Sequence, residues 1–355
     1  MRIGIPKEIK PWEGRVALVP AAVADLVRAG HEVWVEADAG IASGFSDADY
    51  RTAGAVRAPD AGTLYAAAGL VVKVKEPIGS EYGYLRPNHI LFSYLHLAAG
   101  AELLAHLQQV GLTAVAFETV MVQGALPLLA PMSDIAGRLA VQIGAQLLQR
   151  PAGGAGVLLG GLPGTPRGRV VVLGAGAAGG NAVRAAAALG AEVQVFEIVR
   201  ERQARMHQLG PNVTALMPYA STLAAAVRDA DLLIGAVLIP GARAPRLIDA
   251  EMIRSMRPGS VVIDIAIDQG GCIETVRPTD YARPTYLEYG VLHFGVTNMP
   301  AAVPRTASQA LSAVLLPYVL RVASGDLDTA GLGQGLSVMR GRIVHQALQG
   351  RSGSG

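Results

Sequence analysis

In Arg169-Val-Val-Val-Leu-Gly174-Ala-Gly176-Ala-Ala-Gly179 a G-x-G-x-x-G pattern follows an apolar run directly, where a turn that cradles phosphate belongs. Gly174 permits the tight turn, Gly176 lets a pyrophosphate approach backbone N–H groups, and Gly179 permits close helix–strand packing. In so Gly-rich a chain the pattern alone is weak, but an Ala-rich helical stretch (181–189) and a second apolar run follow it. That run ends at Glu197, about 20 residues on, where a carboxylate can accept hydrogen bonds from a ribose diol. Glu197 favours NAD because it repels a 2′-phosphate, whereas Arg200 and Arg202 could pair with one. Arg200 reads equally as a solvated helix start.

Four further residues suit chemistry on a small polar substrate. In Val71-Val-Lys73-Val-Lys75-Glu-Pro77, the two-residue period of a strand sets both lysines on one face. Lys75 stands last, so its ammonium can project beyond the sheet edge; spacing alone favours a pair of ordinary solvated lysines. His96 ends the apolar run His89-Ile-Leu-Phe-Ser-Tyr-Leu-His96. Ligands of open α/β sheets bind beyond the carboxyl ends of strands, where a histidine can act as acid or base near neutral pH. The alternative is a capping or core histidine. Arg15, in the loop Glu13-Gly-Arg-Val, could clamp a carboxylate with two hydrogen bonds or lie on the surface. Asp268 borders a Gly-Gly turn that can face a cleft, while Asp264 is expected to cap or pair within the fold. Neither has a His or Cys at ligand spacing, so no metal is expected. No GxSxG elbow and no P-loop lysine appears, which argues against ester hydrolysis and NTP chemistry.

Alternating strands and helices must position these groups. Residues 2–5, 31–36, 70–75, 89–95 and 113–117 read as strands, with helices at 21–29 (stopped by Gly30) and near 102–110. A second series starts at Arg169 and runs through GAEVQVFE, DLLIGAV and SVVIDIA. Such alternation implies parallel pairing with helices on both sheet faces. The fold class is therefore α/β, as two doubly wound parallel-sheet domains with a cleft between them. Residues 1–132 with 305–355 form the substrate domain, and 133–304 the Rossmann dinucleotide-binding domain. Helical stretches at 135–148 and 306–322 link them, 151–166 reads as a Gly/Pro-rich loop or hairpin, and the RSGSG tail as disordered.

Composition agrees. At roughly 150 residues per domain, 355 residues make about two domains, and 51% hydrophobic with 16% charged residues can bury a core, which excludes disorder. Aromatic residues are only 5%, so packing rests on Ala, Val and Leu. A net charge of +2 without a basic, aromatic-studded stripe argues against nucleic acid. Cys272 stands alone and can form no internal disulfide. Mean hydropathy is +0.36, yet Lys or Arg interrupts each apolar stretch before the roughly 18 residues that span a bilayer. The charged N-terminus lacks a signal-peptide core. A cytoplasmic protein without a membrane partner is expected.

The segments MRIGIPKE with Arg15, KVKEP with Lys75, FSYLHLA with His96, LPLLAPMSDIAGR, GAVLIPGARAP, VVIDIAIDQGGCIE and VTNMPAAVPRT resemble the alanine dehydrogenase/transhydrogenase-subunit family. They run in order from residue 1 to about residue 325. The resemblance implies that Arg15 and Lys75 bind the substrate and that His96 and Asp268 are catalytic. It implies nucleotide contacts at Ser133, Ala177, Ala178, Glu197, Arg202, Val237, Leu238, Ile265, Ala266, Ile267, Asp268, Arg277, Val296, Thr297, Asn298 and Met299. Ser221 stands for a family serine in a poorly aligned stretch (211–221). Glu197, Thr297 and Asp134 depart from the more usual Asp, Ala and Glu. The family is typically NAD-dependent and hexameric, and converts L-alanine to pyruvate and ammonia.

The expected chemistry is hydride transfer from the amino-acid C2 to NAD followed by imine hydrolysis. Rival readings are a relative acting on another amino acid, a transhydrogenase-type subunit, and a catalytically silent NAD-binding protein.

Overall fold

The structure, a computed structural model, describes residues 1–237 and 244–349. They form two compact units: Met1–Met132 with the described part of Ala301–Gly355, and Ser133–Pro300. Leu238 and the RSGSG tail lie outside the described residues.

The first unit opens with β1 (Arg2–Ile5), β2 (Glu32–Glu36), β3 (Val56–Ala58), β4 (Leu70–Val72), β5 (Ile90–Ser93) and β6 (Thr113–Ala116). All pair in parallel, in the order β3-β2-β1-β4-β5-β6. The order reverses between β1 and β4, so the loops leaving their carboxyl ends diverge and open the sheet edge to a ligand. The strands are short because both faces are covered: β4 is buried throughout, and Gly4 in β1 leaves just enough room for Leu64 and Ala68.

The second unit repeats the plan. Its strands are β7 (Arg169–Leu173), β8 (Glu192–Phe196), β9 (Val213–Leu216), β10 (Leu232–Gly235), β11 (Val261–Asp264), β12 (Thr285–Glu288) and β13 (Val291–Phe294). The order is β9-β8-β7-β10-β11-β13-β12, with the reversal between β7 and β10. β12 runs antiparallel to β13. Val170, Val172, Leu232, Ile234, Val261 and Ile263 are fully buried.

After the helix Pro304–Ala323 the chain adds β14 (Leu336–Met339) and β15 (Arg342–Ile343) to the first sheet. β14 lies antiparallel to β6, and β15 to β14. The expectation of purely parallel sheets is thus corrected at one edge of each. β13 and β15 follow their partners by short hairpins, which makes the pairs antiparallel; β14 reaches β6 only after the chain has returned from the second unit, from the opposite direction. Among the described residues, Pro304–Ala323 is the one helix whose length and composition would suffice to cross a bilayer. Here it buries Ala307, Leu311, Leu315, Val319 and Val322 within its unit. Its Ser308 and Ser312 hydroxyls accept the N–H groups of Val16 and Val19 at 2.9 and 3.1 Å.

In the second unit the helix Ala130–Leu147 meets the helix Ala177–Ala188 at Gly137, where a Cβ would overlap the Ala178 carbonyl oxygen. Alanine usually gains about 0.5–1 kcal/mol over glycine inside a helix, but overpacking costs about 1–3 kcal/mol, so the overlap should win. Gly137→Ala is expected to destabilise by about 1–2 kcal/mol, read as a lower urea midpoint at unchanged slope. A raised midpoint would show that the helices are not in contact there.

Candidate functional site

In the first unit the expected strand 70–75 stops at Val72, and the two lysines lie beyond it. Both are buried, Lys73 to 1% and Lys75 to 9% exposure, which overturns the reading of an ordinary solvated pair. The reason is local charge. Lys73 Nζ lies 2.6 and 2.8 Å from the Glu81 carboxylate and 3.6 Å from Glu8 Oε2. Burial alone would pull its pKa down; Glu8 and Glu81 reverse the direction and hold it charged. Lys73 therefore belongs to the interior.

Lys75 Nζ instead lies 3.3 Å from Nε2 of His96. An ammonium can only donate, so with Lys75 charged Nε2 is the acceptor and the imidazole is neutral. His96 sits three residues past β5, in the left-handed region at φ +49°. The residue is exposed at the surface, while its ring is crowded by protein atoms. That burial of the ring, then the Lys75 charge, pushes its pKa well below the ordinary histidine range. Arg15 also lowers it, so the three expected groups share one electrostatic neighbourhood.

Arg15 is 2% exposed, which removes the surface alternative. Its Nε and Nη2 donate to the two oxygens of Glu13 at 2.6 and 2.5 Å, and Nη1 reaches Met132 Sδ at 3.0 Å. Burial works against its charge; Glu13 outweighs that and raises the pKa. Besides Glu81, the buried Glu8 and Glu13 and the half-buried Glu118 had no role in the sequence reading. Burial pushes Glu8 up to about 7 against the pull of Lys73, and Glu118 is raised by burial too. A signal for two of them existed, since Glu8 and Glu13 precede Arg15 in the same loop after β1.

In the second unit Gly174 has φ +86° and Gly176 caps the helix Ala177–Ala188, four residues earlier than the sequence suggested. Gly179 packs so closely that a Cβ would overlap the Gly174 carbonyl oxygen, whereas a Cβ on Gly176 would meet nothing within 4 Å. The open side therefore faces the first N–H groups of a 12-residue helix, the donors an anion needs. A cavity of about 250 Å³ there is lined by Ala175, Gly176, Ala177, Arg184, Arg202 and Arg205, among others.

Glu197 stands just past β8, 5% exposed. It accepts the N–H groups of Ala175, Ile198 and Val199 at 2.8–2.9 Å, with Arg202 Nη1 3.6 Å away. A carboxylate has about four lone-pair sites, so these three donors leave room for one ribose hydroxyl. These residues fit a dinucleotide: N–H groups and arginines for its phosphates, a carboxylate for its sugar.

The remaining nucleotide candidates follow strand ends in the same unit. Val237 comes after β10, Ile265, Ala266, Ile267 and Asp268 form a 3₁₀ turn after β11, and Val296, Thr297, Asn298 and Met299 follow β13. Asp268 is exposed and its Oδ2 accepts the Asn298 N–H at 3.4 Å, which ties the last two loops together. Asp264 is buried and accepts from Ala266, Cys272 and Ile273; burial pushes it up to about 6. Arg277 stacks on the Tyr286 ring at 4.0 Å. Ser133 is half-buried in the helix Ala130–Leu147, and Ser221 is exposed on the helix Ala220–Asp229. Among the described residues no cluster of His, Cys, Asp and Glu could hold a metal.

Comparison with known proteins places these loops in context. The patterns for the alanine dehydrogenase/PNT N-terminal and C-terminal domains match residues 4–136 and 140–346. The alanine dehydrogenase of Geobacillus stearothermophilus is 49% identical over 98% of this chain and 95% of its own. A solved L-alanine dehydrogenase superposes with a TM-score of 0.95 at 51% identity, covering 99% of this chain and 98% of its own. The transhydrogenase of Sinorhizobium meliloti superposes at 0.86 with 28% identity, covering 98% and 100%.

The lowered pKa of His96 has a measurable consequence. Its imidazole proton resonances should titrate below the 6.5 of an ordinary histidine. In Lys75→Met, which removes the neighbouring positive charge, the midpoint should move up. A midpoint at or above 6.5 in the parent protein would contradict the Lys75–His96 arrangement.

Proposed function

The chain belongs to the alanine dehydrogenase/PNT family, and on that premise we propose that it catalyses the oxidative deamination of L-alanine by NAD, with water, to pyruvate and ammonia, and the reverse reductive amination. The observation that carries the reading is the Lys75 ammonium 3.3 Å from the imidazole of His96, in the electrostatic neighbourhood of a buried Arg15.

Arg15 anchors the amino-acid carboxylate: a guanidinium held charged in a dry setting binds an anion more strongly than one in water. Lys75 donates to the substituent on C2 and stabilises the negative charge that develops on oxygen during imine hydrolysis. His96, neutral because its pKa is lowered, accepts the proton of the attacking water and returns it to the leaving amine. Bound NAD supplies the acceptor for the C2 hydride. Gly174, Gly176, Ala177, Ala178 and Gly179 would hold its pyrophosphate, with Glu197 and Arg202 on its ribose. Ser133, Ser221, Val237, Leu238, Ile265, Ala266, Ile267, Arg277, Val296, Thr297, Asn298 and Met299 complete the nucleotide contacts. Asp268 orients the nicotinamide side and stabilises the protonated partner. By family resemblance we take the assembly to be a cytoplasmic homohexamer.

Supplied with NAD⁺ and one amino acid at a time at alkaline pH, the protein should produce reduced nicotinamide with alanine. Reduction with a different amino acid alone would transfer the assignment to that substrate, and none with any would favour a silent NAD-binding protein. His96→Ala should lower kcat by about 100-fold or more while NAD affinity stays near that of the parent; normal turnover would remove His96 from the mechanism. Glu197→Ala should raise the KM for NAD, and an unchanged value would refute the ribose contact.

A further inference from the structure

Each of the three residues that the proposed mechanism takes from the first unit is held by a different glutamate, Arg15 through its side chain and Lys75 and His96 through their backbone N–H groups. After β1, Glu13 grips Arg15 through two parallel hydrogen bonds of 2.6 and 2.5 Å, with both side chains withdrawn from solvent. After β4, Glu8 Oε1 accepts the N–H of Val74 at 2.6 Å and that of Lys75 at 3.4 Å. After β6, Glu118 accepts the N–H of His96 at 2.6 Å and that of Leu95 at 3.2 Å. The backbone N–H groups taken by Glu8 and Glu118 lie just past the ends of β4 and β5, where side chains must take over from the sheet ladder. Backbone donors withdrawn from water need such partners.

We propose that Glu8, Glu13 and Glu118 are positioning residues, a layer of carboxylates that sets Lys75, Arg15 and His96 in their working geometry. The proposal rests on the functional reading above, which gives those three residues their tasks. Glu118 carries the strongest case. His96 holds φ +49°, a conformation uncommon for a non-glycine residue and favoured when its surroundings hold the backbone there. A carboxylate that takes two successive N–H groups supplies that hold. It turns the backbone so that the imidazole faces Lys75 Nζ. Glu13 does the equivalent for Arg15 by fixing the plane of the guanidinium, since a forked pair allows one orientation only. Glu8 ties down the peptide that carries Lys75, while its second oxygen has no hydrogen-bond partner and faces the buried Lys73.

A purely structural role for these glutamates predicts a different pattern from a positioning role, and steady-state kinetics separate them. Glu118→Ala removes both backbone acceptors. It should lower kcat by at least about tenfold, as expected for a displaced proton-transfer group, while the KM for NAD stays within about twofold. Glu13→Gln sets an amide donor against the Arg15 donors. It should instead raise the KM for alanine by about tenfold with a smaller change in kcat. Melting temperatures are recorded for every variant. Should Glu118→Ala not fold, Glu118→Leu, which keeps much of the side chain's size but carries no acceptor, takes its place; Glu118→Gln retains an oxygen that can accept both N–H groups and should keep most of the parental kcat.

The proposal is overturned if folded Glu118→Ala or Glu118→Leu keeps parental kcat, or if Glu13→Gln leaves the KM for alanine unchanged. It is overturned equally if the only effect is a kcat lowered in proportion to the folded fraction, with both KM values parental and kcat restored at temperatures below the variant's melting transition. His96→Ala is measured alongside. Loss of turnover there with parental kcat in Glu118→Ala or Glu118→Leu rejects the positioning layer alone, whereas parental turnover in His96→Ala rejects the functional reading on which it rests.

Discussion

A charge withdrawn from water must find a partner, and the first unit is organised around that demand. Lys73, Lys75 and Arg15 are all buried, and each meets a different answer. Lys73 is enclosed by two carboxylates and Arg15 by one, gripped with two hydrogen bonds. Lys75 faces a neutral ring nitrogen. Desolvating an ammonium without compensation would cost several kcal/mol, so the glutamates among these loops are conditions for the cations being there at all. The same low-dielectric setting strengthens whatever charge–charge contact a substrate makes.

Topology decides where this can happen. Both sheets reverse their strand order once, between β1 and β4 and between β7 and β10. The loops that leave the carboxyl ends at a reversal run in opposite directions and leave a crevice. In the first unit, Arg15, Lys75, His96 and Glu118 all follow the carboxyl ends of strands, the first two at the reversal itself and the others at β5 and β6 beside it. In the second, the fingerprint turn, Glu197, Val237 and the loops after β11 and β13 do the same. One architecture used twice supplies an anion-binding turn in one unit and a set of ionisable side chains in the other.

Much of the fold was legible because its signals are local. The run Val170 to Leu173 followed by three spaced glycines predicts strand, turn and helix without any tertiary knowledge, and Gly179 shows why. Its hydrogen stands where any Cβ would strike the Gly174 carbonyl. The helix was read four residues short, because Gly176, Ala177 and Ala178 look like loop until one sees that Gly176 is its cap. The antiparallel edges β12, β14 and β15 were missed: short edge strands carry little periodicity, and their direction depends on the strand they join.

Sequence by itself determined the doubly wound class, the nucleotide fingerprint and the identity of the ionisable candidates, because these depend on residue type and short-range spacing. Strand parity does not separate Lys73 from Lys75; only the place of Lys75 at the end of the run and the family resemblance set it apart, and the burial of both was not legible. Only the folded chain sets one between Glu8 and Glu81 and the other against His96, since those partners lie on other segments, after β1, in the turn after β4 and after β5. Nor could sequence reveal that Glu8, Glu13 and Glu118 serve neighbouring loops. A carboxylate's role is fixed by which N–H or guanidinium ends up within 3 Å or so, and that is a property of tertiary packing.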